Sequence, residues 1–77
     1  MSYRESKIQR VIEDSERYPD EYSKIREIEN ITNDHGIRHY ASQRLRDVND
    51  GLIDARAAAR RIDEEQDYYD RCNRGEL

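Results

Sequence analysis

Large apolar side chains are what this chain lacks most. Among its 77 residues there is no tryptophan and no phenylalanine, and all six aromatics are tyrosine. Hydrophobic residues make up 34% of the chain and charged residues 42%. A chain this short and this polar buries little apolar area. At roughly 25 cal/mol per Å² the gain barely offsets the entropy of ordering. Small folds in that position rely on very regular helix packing or on a second subunit. A homo-oligomer is therefore expected.

The other absences exclude function classes. Cys72 is the only cysteine, so no internal disulfide can form, and a reducing, cytoplasmic location is expected. Cys72 itself reads as an unreactive thiol near the C-terminus. No apolar run approaches the about 18 residues of a membrane span. The opening MSYRESK has no apolar stretch of the kind a signal peptide needs, so no membrane role is expected. With three glycines, the sequence carries no Gly-rich phosphate loop, nucleophile elbow or CxxC. An enzyme is not expected, nor is a cofactor or a metal.

What is present is charge, unevenly spread. The formal net charge is −4. Residues 1–36 contribute −3, residues 37–61 contribute +3 and residues 62–77 contribute −4. A basic block thus lies between two acidic ones. With twelve arginines but only two lysines, and a negative total, duplex nucleic acid is a poor partner.

Hydrophobic spacing is helical throughout. Ser2, with Glu5 three residues on, makes a capping box that starts a first helix running to Arg17. Ile8, Val11, Ile12, Ser15 and Tyr18 share its inner face, and Glu13 and Arg17 form an i,i+4 pair. Pro19 followed by Asp20-Glu21 reads as the first turn of a second helix. That helix buries Tyr22, Ile25, Ile28, Glu29 and Thr32, with Ile31 to one side. Gly36 suits the left-handed position that ends it.

The third segment is the longest. Ala41, Leu45, Val48, Leu52, Ala55, Ala59, Ile62, Gln66 and Tyr69 are separated by steps of four and three in turn. That is a heptad seam, broken in character only by Gln66. Asn49-Asp50-Gly51 has turn composition, but the register crosses it unbroken. A single helix over 37–72, about 54 Å long, is therefore expected, with Gly51 costing roughly 1 kcal/mol against alanine and leaving room for Tyr18 or Tyr22. The expected fold is all-α: a helical hairpin or three-helix unit, with one long C-terminal helix and an N-terminal arm broken at proline. Residues 1–72 form one domain and residues 73–77 a frayed tail. Dimerisation into a helical bundle is expected through the small residues of the Ala55–Ala59 region.

Four sets of residues could carry chemistry. On one continuous helix, Arg38, Arg46, Arg56, Arg60 and Arg61 fall within about a 140° arc facing away from the seam. They read either as an anion-binding stripe or as a solvated face tied by Arg46–Asp50, Arg60–Glu64 and Arg61–Glu65 pairs. His35 and His39 have zinc-like spacing, but Gly36 between them favours loop histidines. Acid clusters such as Asp63-Glu64-Glu65-Asp67 read as solvated helix surface, since acid–base work needs a pocket that shifts pKa values. Tyr18, Tyr22 and Tyr69 have core spacing, whereas Tyr3, Tyr40 and Tyr68 read as outward and suited to an interface.

Two functions follow as expectations. The first is a non-enzymatic protein–protein interaction module that binds a larger protein through Arg46, Arg56, Arg60 and Tyr40. Phage and mobile-element inhibitors are commonly small acidic helical chains, so an inhibitor of a larger host protein is the form expected from size class alone. The second is an oligomer that holds a nucleotide or another phosphate ligand with Arg38, Arg60, Arg61 and Tyr68.

Overall fold

The computed structural model describes residues 2–75. Among them there are four α-helices and no strand. α1 is Tyr3–Glu13, α2 is Glu21–Thr32, α3 is Arg38–Asn49 and α4 is Ala55–Asn73. A 3₁₀ turn, His35–Ile37, precedes α3.

Side-chain caps decide most of these boundaries. Ser2 Oγ accepts from Glu5 N at 3.0 Å, which starts α1. The helix stops at Glu13, four residues short of the expected Arg17. Asp14 leaves the helical region, and its side chain accepts from Arg17 N at 3.0 Å, a local turn that competes with helix. Tyr18, preceding proline, is also biased away from helix. The Glu13–Arg17 pair is accordingly not formed. α2 starts at Glu21, not at Pro19: Asp20 is the cap, and it exchanges hydrogen bonds with Ser23 in a capping box. Lys24 of α2 donates to the carbonyls of Val11 and Ile12 at 3.3 and 3.1 Å, satisfying the end of α1. Asn33, at φ 57°, takes the left-handed position that closes α2, in place of Gly36.

The single helix expected over 37–72 is two helices. Gly51 sits at φ +77°. Leu52 N donates to Asp47 O at 2.9 Å and Gly51 N to Val48 O at 3.1 Å, which is the bond pair of a Schellman stop. Asp54 then caps α4, accepting from Ala57 N at 2.7 Å. Stop and start signals stand back to back. Leu52, expected in the seam, lies in the turn and is 71% exposed. A Cβ on Gly51 would meet nothing within 4 Å, so no tyrosine ring uses the space.

The reversal turns the expected hairpin into a closed ring of helices. α1 packs on α2 and α4, and α3 packs on α2 and α4. The bundle measures 38 × 22 × 22 Å. Its core is Ile8, Val11 and Ile12 of α1, Ile25 and Ile28 of α2, Ile37, Ala41 and Leu45, then Ala58, Ala59 and Ile62 of α4. Ala58 and Ala59 are fully buried inside the one chain. The small residues expected to seat a second subunit's helix are already used to bring α4 close to its own neighbours. Tyr18 and Tyr69 pack at the core's edge as expected. Tyr22 does not: it is 64% exposed, with the Arg26 guanidinium 5.9 Å from its ring centre. Tyr40, expected outward, packs against the core. Of the expected frayed tail, Asn73 belongs to α4, Arg74 and Gly75 form a turn, and residues 76–77 lie outside the described residues.

Leu52→Asp should leave thermal stability within about 0.5 kcal/mol of the native chain. Ile62→Ala should cost about 2–5 kcal/mol, which lowers the melting temperature of a domain this size by at least about 8 °C. A large loss on Leu52→Asp would contradict the turn.

Candidate interaction surface

The break at Gly51 divides the arginine stripe between two helices. Arg38 and Arg46 lie on α3, and Arg56, Arg60 and Arg61 lie on α4. The two groups then acquire different surroundings.

Arg38 reaches a buried carboxylate while its own side chain stays 60% exposed. Its Nε lies 2.6 Å from Glu29 Oε1, and His35 Nδ1 lies 3.0 Å from Glu29 Oε2. The Glu29 side chain is only 5% exposed. A buried carboxylate is tolerated only with such partners. The Arg38 hydrogen bond holds the Glu29 carboxyl below its ordinary pKa, against burial, which pushes it up; His35 adds to the lowering. Arg46 turns towards α2, where its Nε is 3.8 Å from Glu21 Oε1, and makes no pair with Asp50. Glu21 also accepts from Ser42 Oγ at 2.6 Å. Tyr40 lies under the guanidinium of Arg44, with Cζ 4.8 Å from the ring centre.

The α4 arginines remain outward. Arg56, Arg60 and Arg61 line one surface depression with Asp54, Ala57 and Glu64. Arg60 pairs with Glu64 at 3.2 Å. Arg56 and Arg61 make no ion pair among the described residues; the Arg61–Glu65 pair is absent, and Glu65 lies instead beside the Tyr69 hydroxyl. Tyr68 is on the other half of α4, near Arg4, Asp67 and Arg71. It meets Tyr69 edge-on, with ring centres 6.4 Å apart. Arg56, Arg60 and Arg61 therefore come together, while Arg38, Arg46, Tyr40 and Tyr68 stand apart from them.

A polar network centred on Gln66, the one polar residue of the heptad seam, joins three elements. Gln66 is fully buried in α4. Its Nε2 donates to Asp34 Oδ2 at 2.9 Å and to Asp70 Oδ1 at 3.0 Å. Asp70 is reached in turn by Arg4 Nη1 at 3.3 Å, and Arg4 also pairs with Asp63. The Gln66 hydrogen bond, with that from Gly36 N, holds Asp34 below its ordinary pKa against burial. The available signal was Gln66 itself, a polar residue on an apolar seam, the pattern by which helices specify pairing.

The histidines do not form a zinc pair. His35 faces Glu29, and Gln43 Nε2 donates to His39 Nε2 at 3.2 Å. Among the described residues no group of three or more His, Cys, Asp or Glu side chains is arranged to hold a metal ion. No helix is long and apolar enough to cross a membrane. No protein-family model matches the chain, and neither the curated proteins nor the solved structures yielded a match.

The depressed pKa of Glu29 has a definite sign. Its stabilising effect is fully present above the carboxyl's unfolded value and is lost as pH falls through the folded one. The melting temperature should therefore fall between about pH 5 and pH 3, where carboxylates titrate. Arg38→Gln should make that part of the profile shallower, because it removes the main cause of the shift. An identical pH profile in the variant would show that the pair carries no linkage.

Proposed function

We propose that this chain is a non-enzymatic protein-interaction module whose contact is the outward face of α4, with Arg56, Arg60 and Arg61 as its charged centre. The observation that carries the reading is the unpaired state of Arg56 and Arg61. In a chain with 18 acidic residues, these two guanidiniums have no ion-pair partner among the described residues. Their former companions on the stripe, Arg38 and Arg46, face acids of α2. Free guanidiniums favour planar, bidentate capture of carboxylates, and arginine is a frequent energetic centre of protein interfaces.

The partner that fits is a larger protein with an acidic surface. One long side of the bundle is 38 by 22 Å, close to the about 800 Å² that each partner buries in a standard interface. Covering an acidic functional surface would inhibit the protein that carries it, the action expected of small phage-type binders. Within this reading Tyr40 and Arg46 recede from the contact, because Tyr40 is packed beneath Arg44 and Arg46 faces Glu21.

A phosphate-bearing ligand is the second reading, favoured by three arginines around one depression of about 470 Å³. Asp54 and Glu64 line the same depression and oppose a dianion, which ranks it second.

Affinity capture from the native cell with the full chain should recover a reproducible protein. Capture with Arg56→Glu/Arg61→Glu should lose at least about tenfold of it, the effect of removing about 1.4 kcal/mol of contact. Equal recovery by both baits would remove the α4 face. A melting-temperature rise with millimolar nucleoside triphosphate, lost in the same variant, would replace the first reading with the second.

A further inference from the structure

The turn between α3 and α4 presents an apolar side chain where such turns ordinarily bury one. In a Schellman stop the residue after the left-handed glycine packs against the helix five or six positions back. Here that residue is Leu52, and the helix offers it Asp47 and Arg46. Leu52 consequently stands out at 71% exposure. It is held there by the two backbone bonds of the stop and by the Asp54 cap. Asp50 and Asp54 flank it, both exposed, so the tip is a fixed leucine between two carboxylates.

A surface of opposite character lies between α1 and α2. Val11, Tyr18 and Ile31 line a depression of about 290 Å³, rimmed by Lys7, Arg10 and Arg17. That is below the usual size of a small-molecule site and suits a single side chain. None of the three rim cations makes an ion pair among the described residues; Lys7 lies 4.5 Å over the Tyr3 ring. Asp14 and Glu27 also line the depression, which leaves the rim with one net positive charge.

The geometry points to self-association in which the Leu52 tip of one copy enters the Val11–Tyr18–Ile31 groove of a second copy, with Asp50 and Asp54 meeting Lys7, Arg10 and Arg17. Within one chain the two features cannot meet. The tip joins α3 to α4, the groove lies between α1 and α2, and these pairs form opposite sides of the helical ring. The contact is heterologous, so each copy keeps one free tip and one free groove, and association continues into chains or a closed ring. A five-residue tip buries less than the about 1,200 Å² of a stable complex, so the association is weak, near millimolar. Exposed charges on both sides make it salt-sensitive. It uses none of Arg56, Arg60 and Arg61, and shares only Asp54 with the α4 depression.

Sedimentation equilibrium of the full chain tests it. At low salt the weight-average mass should rise above 9.3 kDa as concentration approaches about 1 mM, and fall back in about 0.5 M salt. Leu52→Asp, which removes the tip, and Arg10→Glu/Arg17→Glu, which reverses the rim, should each sediment as one chain while melting like the native protein. Mixed in equal amounts, the two variants should form a one-to-one pair of twice that mass, because each supplies the element the other lacks. A native chain that stays at single-chain mass overturns the proposal. Failure of the mixture to pair overturns its tip-in-groove form. Association that survives Leu52→Asp but not the rim variant would place another occupant in the groove and equally overturn it.

Discussion

A backbone torsion of +77° at Gly51 would cost an L side chain about 1–2 kcal/mol, whereas glycine adopts it freely. That one residue lets α3 end in a stop, and Asp54 immediately begins α4. Without the reversal the C-terminal half would be a rod of about 54 Å, with too few apolar residues facing it to cover its seam. With it, the seam is folded upon itself, and Ala41 and Leu45 meet the same core as Ala58, Ala59 and Ile62. The polar composition then becomes affordable. Four short amphipathic helices arranged in a ring bury their inward faces without a second chain.

Polar groups inside that ring specify which helices meet. Glu29 of α2 is held by Arg38 of α3 and by His35 of the intervening turn. Gln66 of α4 reaches Asp34 between α2 and α3, and Asp70 links it to Arg4 of α1. Each buried group needs a partner from another element, and a shifted or exchanged helix would leave it unsatisfied at about 1–3 kcal/mol. The isoleucines supply cohesion of about 1.5–3 kcal/mol each but are less particular about which neighbour covers them.

The all-helical class and most inward faces were legible in the residue spacing. Ile8, Val11 and Ile12, then Ile25, Ile28, Glu29 and Thr32, and later Ala41, Leu45, Ala59 and Ile62 are buried as periodicity indicated. The turn was not legible in the same spacing. Val48 and Ala55 are seven residues apart whether a helix or a reversal joins them, so phase cannot tell the two apart. Local signals could: Asn49-Asp50-Gly51 stops a helix, and Asp54 starts one. Without the turn, Leu52 falls inside and the arginines gather into one stripe. Tyr22 and Tyr40 exchanged roles for a related reason. Several tyrosines of the chain could close the core's edge, and spacing alone does not choose among them. That Arg61 makes no ion pair among the described residues could not be read, since it depends on where Glu65 turns.

The seam between α1 and α4 differs from the others in one respect. The α1–α2, α2–α3 and α3–α4 contacts join neighbours separated by short connections, whereas Arg4 meets Asp63 across 59 residues. Closing a loop costs entropy that grows with the logarithm of its length. Joining α1 to α4 is therefore the costliest closure in the fold, whereas the other three helix contacts are local. Ile8 of α1 and Ile62 of α4, both fully buried, stand on the two sides of that closure, so the apolar area they bury offsets its entropy.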